Sequence, residues 1–377
     1  MKRQASEQDD NNDKNAYLTN ASKSAPDGNR NITNESLDDQ HEPIGKPGKL
    51  IDSLKAKGKS KLEDPRVATI MEGEPNFEDV TALIASEMNN LTLDERKAIY
   101  DDVHGVNITR QEETPEAVAN WLKEFKDAVR KIRYKPEYEK AAFLNPDYVL
   151  DPKISLMFLR SEDYNPRKAA RRIVNHYKHK MDLFGIDKLA RPITFDDLDK
   201  EDRDAALTGF YQKLYLPDQS GRPVIVYFPH LMDFHSSVNQ FRSLWYFLMA
   251  ALQDDEQAQR KGFVAIAYCV GLEQDKLPIA RFDLGLELGT VLEGIPCKVR
   301  GCHFCYDNVL TRPLLAVMQM AVGSDIRLRT RTHYGSHQEC KYALMTFGIP
   351  VSVWPLGDDN RMSMEGFNQM ITSLRQQ

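Results

Sequence analysis

No run of about eighteen uncharged apolar residues, the length a membrane-spanning helix needs, occurs anywhere in the chain. Behind Lys2 and Arg3 comes QASEQDDNNDKN rather than an apolar stretch, so no secretory leader is expected. Together these absences predict a cytoplasmic protein. The Asn-x-Ser/Thr triplets at Asn20, Asn31, Asn34, Asn90 and Asn107 then read as chance in an Asn-rich sequence. Basic charge is not in excess either: 50 Lys+Arg against 56 Asp+Glu give a formal net charge of −6. That balance excludes the general basic surface by which proteins displace counterions from nucleic acid. Cysteine is scarce and odd in number, five in all, with four of them between Cys297 and Cys340. A secreted disulfide framework is excluded, and reduced thiols are expected. A glycine-rich phosphate loop is missing too, since GLELG at Gly285 and Gly289 lacks the GxGxxG form and follows no strand directly. No catalytic triad and no paired acid and base emerge from the spacing, so neither an enzyme nor a cofactor is expected.

What is present is a chain of 377 residues, 41% apolar, enough for a large core. Residues 1 to about 60 are Asn, Asp, Ser, Gly and Lys with few large apolar side chains, the composition of a disordered tail and a place for a protein partner. Its end carries Lys46, Lys49, Lys55, Lys57, Lys59 and Lys61 around Leu50, Ile51 and Leu54. A weak contact with an anionic membrane, at about 1 kcal/mol per lysine, competes here with a plain solvated linker.

From about residue 75 the periodicity is helical. TLDERKAIYDDVHG pairs Thr92 with Glu95 as a capping box and closes on Gly105. TPEAVANWLKEFKDAVRKIR opens on Thr114 and Pro115 and stripes Val118, Leu122, Phe125 and Val129 along one face. DPKISLMFLR starts on Asp151 and Pro152, and NPRKAARRIVNHYKHKMDLFG on Asn165 and Pro166, ending at Gly185. Lys168, Arg171 and Arg172 form a basic cluster on that last helix, read as a solvated face.

After residue 220 strands and helices alternate: GRPVIVYFP, SVNQFRSLWYFLMAALQDDEQAQR, GFVAIAYCV, DLGLELGTVLEGI, CKVRGCHFCY, RPLLAVMQMAVG, DIRLRTRTHYG, SHQECKYALMTFG and PVSVW. The pattern predicts an α/β fold: an all-helical lobe over 75–190, a domain over 191–360 with a mainly parallel or mixed five-stranded sheet, a disordered tail and basic linker over 1–74 and a C-terminal tail over 361–377. In DIRLRTRT, strand alternation would put Arg327, Arg329 and Arg331 on one face and Ile326, Leu328 and Thr330 on the other.

FLRSEDYNPRKAARRIVNHYKH, GRPVIVYF and IPCKVRGCHFCYDNVLTRPLLAVMQMAVGSDIRLRTRTHYG, in this order, resemble the CRAL-TRIO lipid-binding family, to which phosphatidylinositol transfer, α-tocopherol transfer and retinaldehyde-binding proteins belong. The resemblance runs from about residue 85 to 358. It departs from the family in PVSVWPLGDD, where Asp358 stands in place of a second glycine, and in a short segment between Asn308 and Asp325. It implies a single lipid, of phospholipid, phosphoinositide or isoprenoid type, held in an apolar pocket under a gate helix and exchanged in transient contact with a membrane. The gate would be RPLLAVMQMAVG, with Leu314, Val317, Met318 and Ala321 on one face and Leu315, Met320 and Val322 on the other. The expected walls are Val226, Phe228, Ala265, Ala267, Cys302, Phe304, Leu314, Val317, Met318 and Leu328, with Arg329 and Arg331 as headgroup candidates by resemblance.

CKVRGCHFC packs three cysteines and a histidine into residues 297–305. In a strand Cys302 and Phe304 face one way and His303 and Cys305 the other, so the pair cannot clasp one zinc ion as a CxxC turn does. From Cys305 the next arginine is Arg312, one position past the Cys-x5-Arg spacing of a thiol phosphatase. Small apolar wall residues are the expected role of these cysteines. A cavity-less scaffold for protein interaction, and a zinc or redox sensor, are the rival functional readings.

Overall fold

In the computed structural model the described residues are 77–106, 111–231, 237–272, 289, 291–357, 363 and 366, all within the unit Gly45–Gln377. The expectations for residues 1–74, for the stretch 283–288 and for nearly all of 361–377 lie outside them.

The helices start where capping chemistry places them. Thr92 accepts the amide of Glu95 at 3.2 Å while the Glu95 carboxylate accepts the amide of Thr92 at 2.8 Å, and this closed box opens helix α2, Leu93–His104. Gly105 ends it in the left-handed region, φ 63°, where a residue with a Cβ is strained. Before it comes α1, Phe77–Asn89. The helices α3 (Pro115–Lys131), α6 (Pro152–Ser161) and α7 (Pro166–Phe184) each carry proline at the first position, behind the side-chain caps Thr114, Asp151 and Asn165. Two short helices, α4 (Pro136–Leu144) and α5 (Pro146–Val149), complete the lobe. Phe125, Val129, Phe158, Ile173 and Tyr177 fill its centre.

Beyond α8 (Lys200–Leu207) the chain forms an α/β layer. Strands β1 (Tyr211–Lys213), β2 (Val224–Tyr227), β3 (Phe263–Tyr268), β4 (Val299–Tyr306) and β5 (Thr330–Tyr334) lie in sequence order in one five-stranded sheet. β1 is antiparallel to β2, and every later pair is parallel, so the mixed sheet expected from the sequence is present. Parallel strands that step always in one direction put all right-handed crossovers on one face. On that crossover face α9 (Ser237–Leu252) packs through Phe241, Leu244, Trp245 and Leu248 against Ile225, Phe263 and the helical lobe in one continuous core.

The far face is filled by Val224, Val226, Val264, Ile266 and Cys305 under Cys340 and Leu344 of α13, His337–Met345, and under Trp354.

Three expectations change. The long helix through QDDEQAQR breaks at Gln253–Asp255, because the Asp255 carboxylate caps a separate α10, Glu256–Lys261, accepting from Ala258 at 2.9 Å. DIRLRTRT is not a strand from its start. Ser324–Leu328 is a short helix, α12, and the strand begins at Thr330. Arg327 donates to the carbonyls of Gln319, Met320 and Val322, the C-terminal end of the gate segment, and Arg329 to the carbonyl and carboxylate of Asp325. These side-chain bonds satisfy helix-end carbonyls and hold a turn where alternation imitates a strand. PVSVW is likewise a 3-10 turn over Val351–Val353, its amides bonding locally to Ile349 and Pro350. Among the described residues no helix is long and apolar enough to cross a membrane.

Candidate functional site

The register fixes which side chains share the crossover face: Ile225, Ala265, Cys302 and Thr330 form one row, and Tyr227, Ala267, Phe304 and Thr332 the next. These rows differ from the far face in one respect. Tyr227, Ala265, Ala267 and Cys302 keep accessible surface in the middle of the sheet, whereas Val224, Val226, Val264, Ile266, Tyr268 and Cys305 behind them are shut. Central strands covered by helices ordinarily close on both faces. Over the open strip stands helix α11, Arg312–Ala321, the segment expected from the resemblance to be the gate. Its Leu315 and Met318 pack with Phe304, Tyr306, Ala267 and Cys302.

Of the expected wall residues, Ala265, Ala267, Cys302, Phe304 and Met318 come together here. Val317 is buried and Leu314 half-buried on the same helix. Val226 and Phe228 lie on the opposite face, because the two-residue period pairs Val226 with Ile266 and His303, and Phe228 packs on Tyr268 and Trp354. Leu328 sits on α12 against Ile99 and Val103 of α2, away from the strip. Three residues escaped the sequence reading. Leu315 rather than Leu314 points at the sheet, and Tyr211 and Tyr227, rings 5.1 Å apart, both hydrogen-bond the Gln240 side chain of α9. Burial pushes both phenols well up, so they remain neutral polar groups beside an apolar strip. Strand alternation after Ile225 was the signal for Tyr227.

The arginines serve other ends. Arg329 grips the Asp102 carboxylate of α2 at 2.9 and 2.8 Å, and Arg300 reaches the same carboxylate at 3.1 Å. Arg327 holds Glu87 of α1 through two bonds, 2.9 and 2.6 Å. Arg160, from the FLR motif, is clamped by Glu113 and Gln259. Arg172 donates to the carbonyls of Leu292 and Ile295 at 2.8 and 2.7 Å, so this part of the basic cluster is a fastening rather than a solvated face. Arg331 is left with backbone carbonyls, Leu328 and Thr330, on the far face.

A groove of about 660 Å³ lies on the outside of the helical lobe between α3 and α7. Glu124 and Asp127 share it with Lys131, Arg167 and Arg171, so it has no single charge preference.

Cys269, Cys297, Cys305 and Cys340 are buried and Cys302 is half-buried, and among the described residues only Cys297 has a cation, Arg172, acting on it. Burial pushes Cys269, Cys297 and Cys302 up to about 12 and Cys305 well up, while Cys340 is lowered by a hydrogen bond from Cys305. At neutral pH the first four are thiols, the unreactive form. Among the described residues no group of three or more His, Cys, Asp or Glu is placed to hold a metal ion.

On the far face His303 Nδ1 lies 2.9 Å from His333 Nε2. Phe347 packs edge-on against both rings, with centroids 4.6 and 5.5 Å away, and stacks on His104 at 4.9 Å. Burial, helped by His333, Arg331, Arg222 and His104, holds His303 well below the usual imidazole range. Burial and Arg331 bring His333 down to about 4. The unfolded chain, with histidine near 6.5, therefore binds more protons than the fold between those two values. Stability is full above that window and falls as pH drops through it. His333 alone accounts for about 2 kcal/mol once its partial exposure is discounted. Asp202 acts in the opposite sense: burial and Asp199 push it up to about 6, so its cost at neutral pH is relieved on acidification. Chemical denaturation at pH 7 and pH 5 should show wild type losing stability, and His333→Gln losing about 1 kcal/mol less, since this step crosses only part of the window. Equal losses in the two proteins would refute the assignment.

The chain matches no protein-family model and no curated protein sequence. Its functional reading therefore rests on its residues and their geometry.

Proposed function

We propose that this chain is a non-enzymatic lipid carrier of the CRAL-TRIO kind, sheltering one hydrophobic molecule between the crossover face of its sheet and helix α11 and presenting it at membranes. The observation that carries the reading is the open strip of small side chains, Ala265, Ala267 and Cys302, on central strands whose far face, at Val226, Val264, Ile266 and Cys305, is closed. Burial of a lipid tail is favourable by about 0.8 kcal/mol per CH₂, so a modest space there suffices to draw a chain from a bilayer. The Tyr211, Tyr227 and Gln240 hydroxyls and amide give one polar foothold at its wall. The order of elements, from the FLR helix through the gate to β5, supports the same reading.

A phospholipid, phosphoinositide or isoprenoid-like molecule fits this chemistry. Arg329 is committed to Asp102 and Arg331 lies on the far face, so neither headgroup candidate expected from the resemblance faces a lipid on the crossover face. The expected site of work is the cytoplasmic side of a membrane, visited transiently.

Native mass spectrometry of protein purified from cells, followed by organic extraction, tests the reading. A stoichiometric co-purifying lipid and transfer of it between vesicles are expected. A clean apo mass with no transfer would favour a filled scaffold instead. The approach to the bilayer is expected at the foot of the gate, where Val309 and Leu310 are 49% and 50% exposed just before Arg312, whose guanidinium stands over the exposed Tyr334 ring. Leu310→Asp should slow vesicle transfer about tenfold, since insertion of one leucine is worth about 1.5–3 kcal/mol. Unchanged transfer and unchanged vesicle flotation would move the docking edge elsewhere.

A further inference from the structure

The gate helix has two apolar faces, and each has its own partner. Leu315 and Met318 pack toward the sheet, while Ala316 and Met320 pack away from it against Val80 and Leu83 of α1. The two helices run side by side in parallel. At their N-terminal ends the Arg312 guanidinium stands 5.6 Å from the centroid of the Phe77 ring. At their C-terminal ends Glu87 holds Arg327, whose other nitrogen donates to the carbonyls of Gln319, Met320 and Val322 at 3.0, 3.3 and 3.0 Å. One guanidinium thus ties the last turn of the gate to α1. Contacts at the start, middle and end of a ten-residue helix leave it no outward movement that keeps α1 in place.

We infer that α1 is a latch on the gate. The apolar outer face of the gate is covered by a helix of the same chain, and the gate swings only when α1 lets go. α1 itself is suited to a two-state role. It is thirteen residues long and buries only Val80 and Leu83, and an isolated helix of that length is marginal in water. Undocked, it loses its helical form, so docking and folding of α1 are one event. Release uncovers Val80, Leu83, Ala316 and Met320 together, an apolar surface next to the exposed Val309 and Leu310. The biological use of the latch rests on the lipid-carrier reading, whereas the latch itself is testable without a lipid.

The test uses the full chain with Leu83→Ala and Glu87→Ala, singly and together. Hydrogen–deuterium exchange in residues 312–321 should be about tenfold faster in the double variant, with intermediate values for the single ones, while β3 and β4 keep wild-type protection and so report an intact fold. Transfer of a pyrene-labelled phosphatidylcholine between phosphatidylcholine vesicles should rise several-fold in the double variant. Unchanged exchange at the gate overturns the latch, and so does a freed gate that transfers lipid no faster than an active wild type. If neither protein moves lipid but the gate exchanges faster, the latch stands and the carrier reading falls.

Discussion

Tryptophan in place of Ala267 is expected to leave the protein folded and to strip it of lipid. Ala267 is in the central strand, between Tyr227 and Phe304 on the crossover face, under Leu315 and Met318. An indole there projects into the space that the small side chains leave open. If that space is hollow, the ring enters it at little cost and displaces the tail of the ligand. Co-purifying lipid measured by native mass spectrometry should fall at least tenfold, and the melting temperature should stay within a few degrees. A packed face gives the opposite result: overpacking costs about 1–3 kcal/mol, visible as a drop of several degrees, with no lipid to lose in either protein. The matching change on the other face, Val226→Trp, meets closed packing against Val264 and Ile266 and should destabilise with either outcome.

Asp102→Ala is expected to be the most damaging single change outside the apolar core. Its carboxylate sits between Arg300 and Arg329, and Arg222 donates to its backbone carbonyl. Removing one partner from a buried ion network leaves charge in a medium that solvates it poorly, a loss of about 3–5 kcal/mol. Thermal unfolding should shift down by about 10 °C, at roughly 2–4 °C per kcal/mol for a fold of this size. A shift under two degrees together with a changed lipid profile would return Arg329 to the ligand.

Much of the architecture was legible from residue order. Thr92 with Glu95, Thr114 before Pro115, Asp151 before Pro152 and Asn165 before Pro166 each mark a helix start, because a cap acts over three residues and needs no tertiary partner. Strands β2, β3 and β4 were legible as β-branched and aromatic runs, whereas β1, the three residues Tyr211–Lys213, was not read, and alternation correctly separated Cys302 and Phe304 from His303 and Cys305. The same rule failed at DIRLRTRT. There Arg327 and Arg329 belong to a helical turn and its cap, and what holds it are carbonyls of Gln319, Met320, Val322 and Asp325 that alternation does not register.

The sequence by itself determined the α/β class, the helical lobe and which side chains share a face within each strand, since caps and periods act within a few residues. Tertiary structure alone decided which sheet face stays open and what the arginines do. Val226 and Ala267 are equally apolar on paper, and only the placement of α9 and α11 over one side and α13 and Trp354 over the other tells them apart. Arg327 and Arg329 find Glu87 and Asp102 some 240 and 227 positions away. A charge looking for a partner is selected by proximity in the folded chain, and no spacing along the sequence encodes that distance.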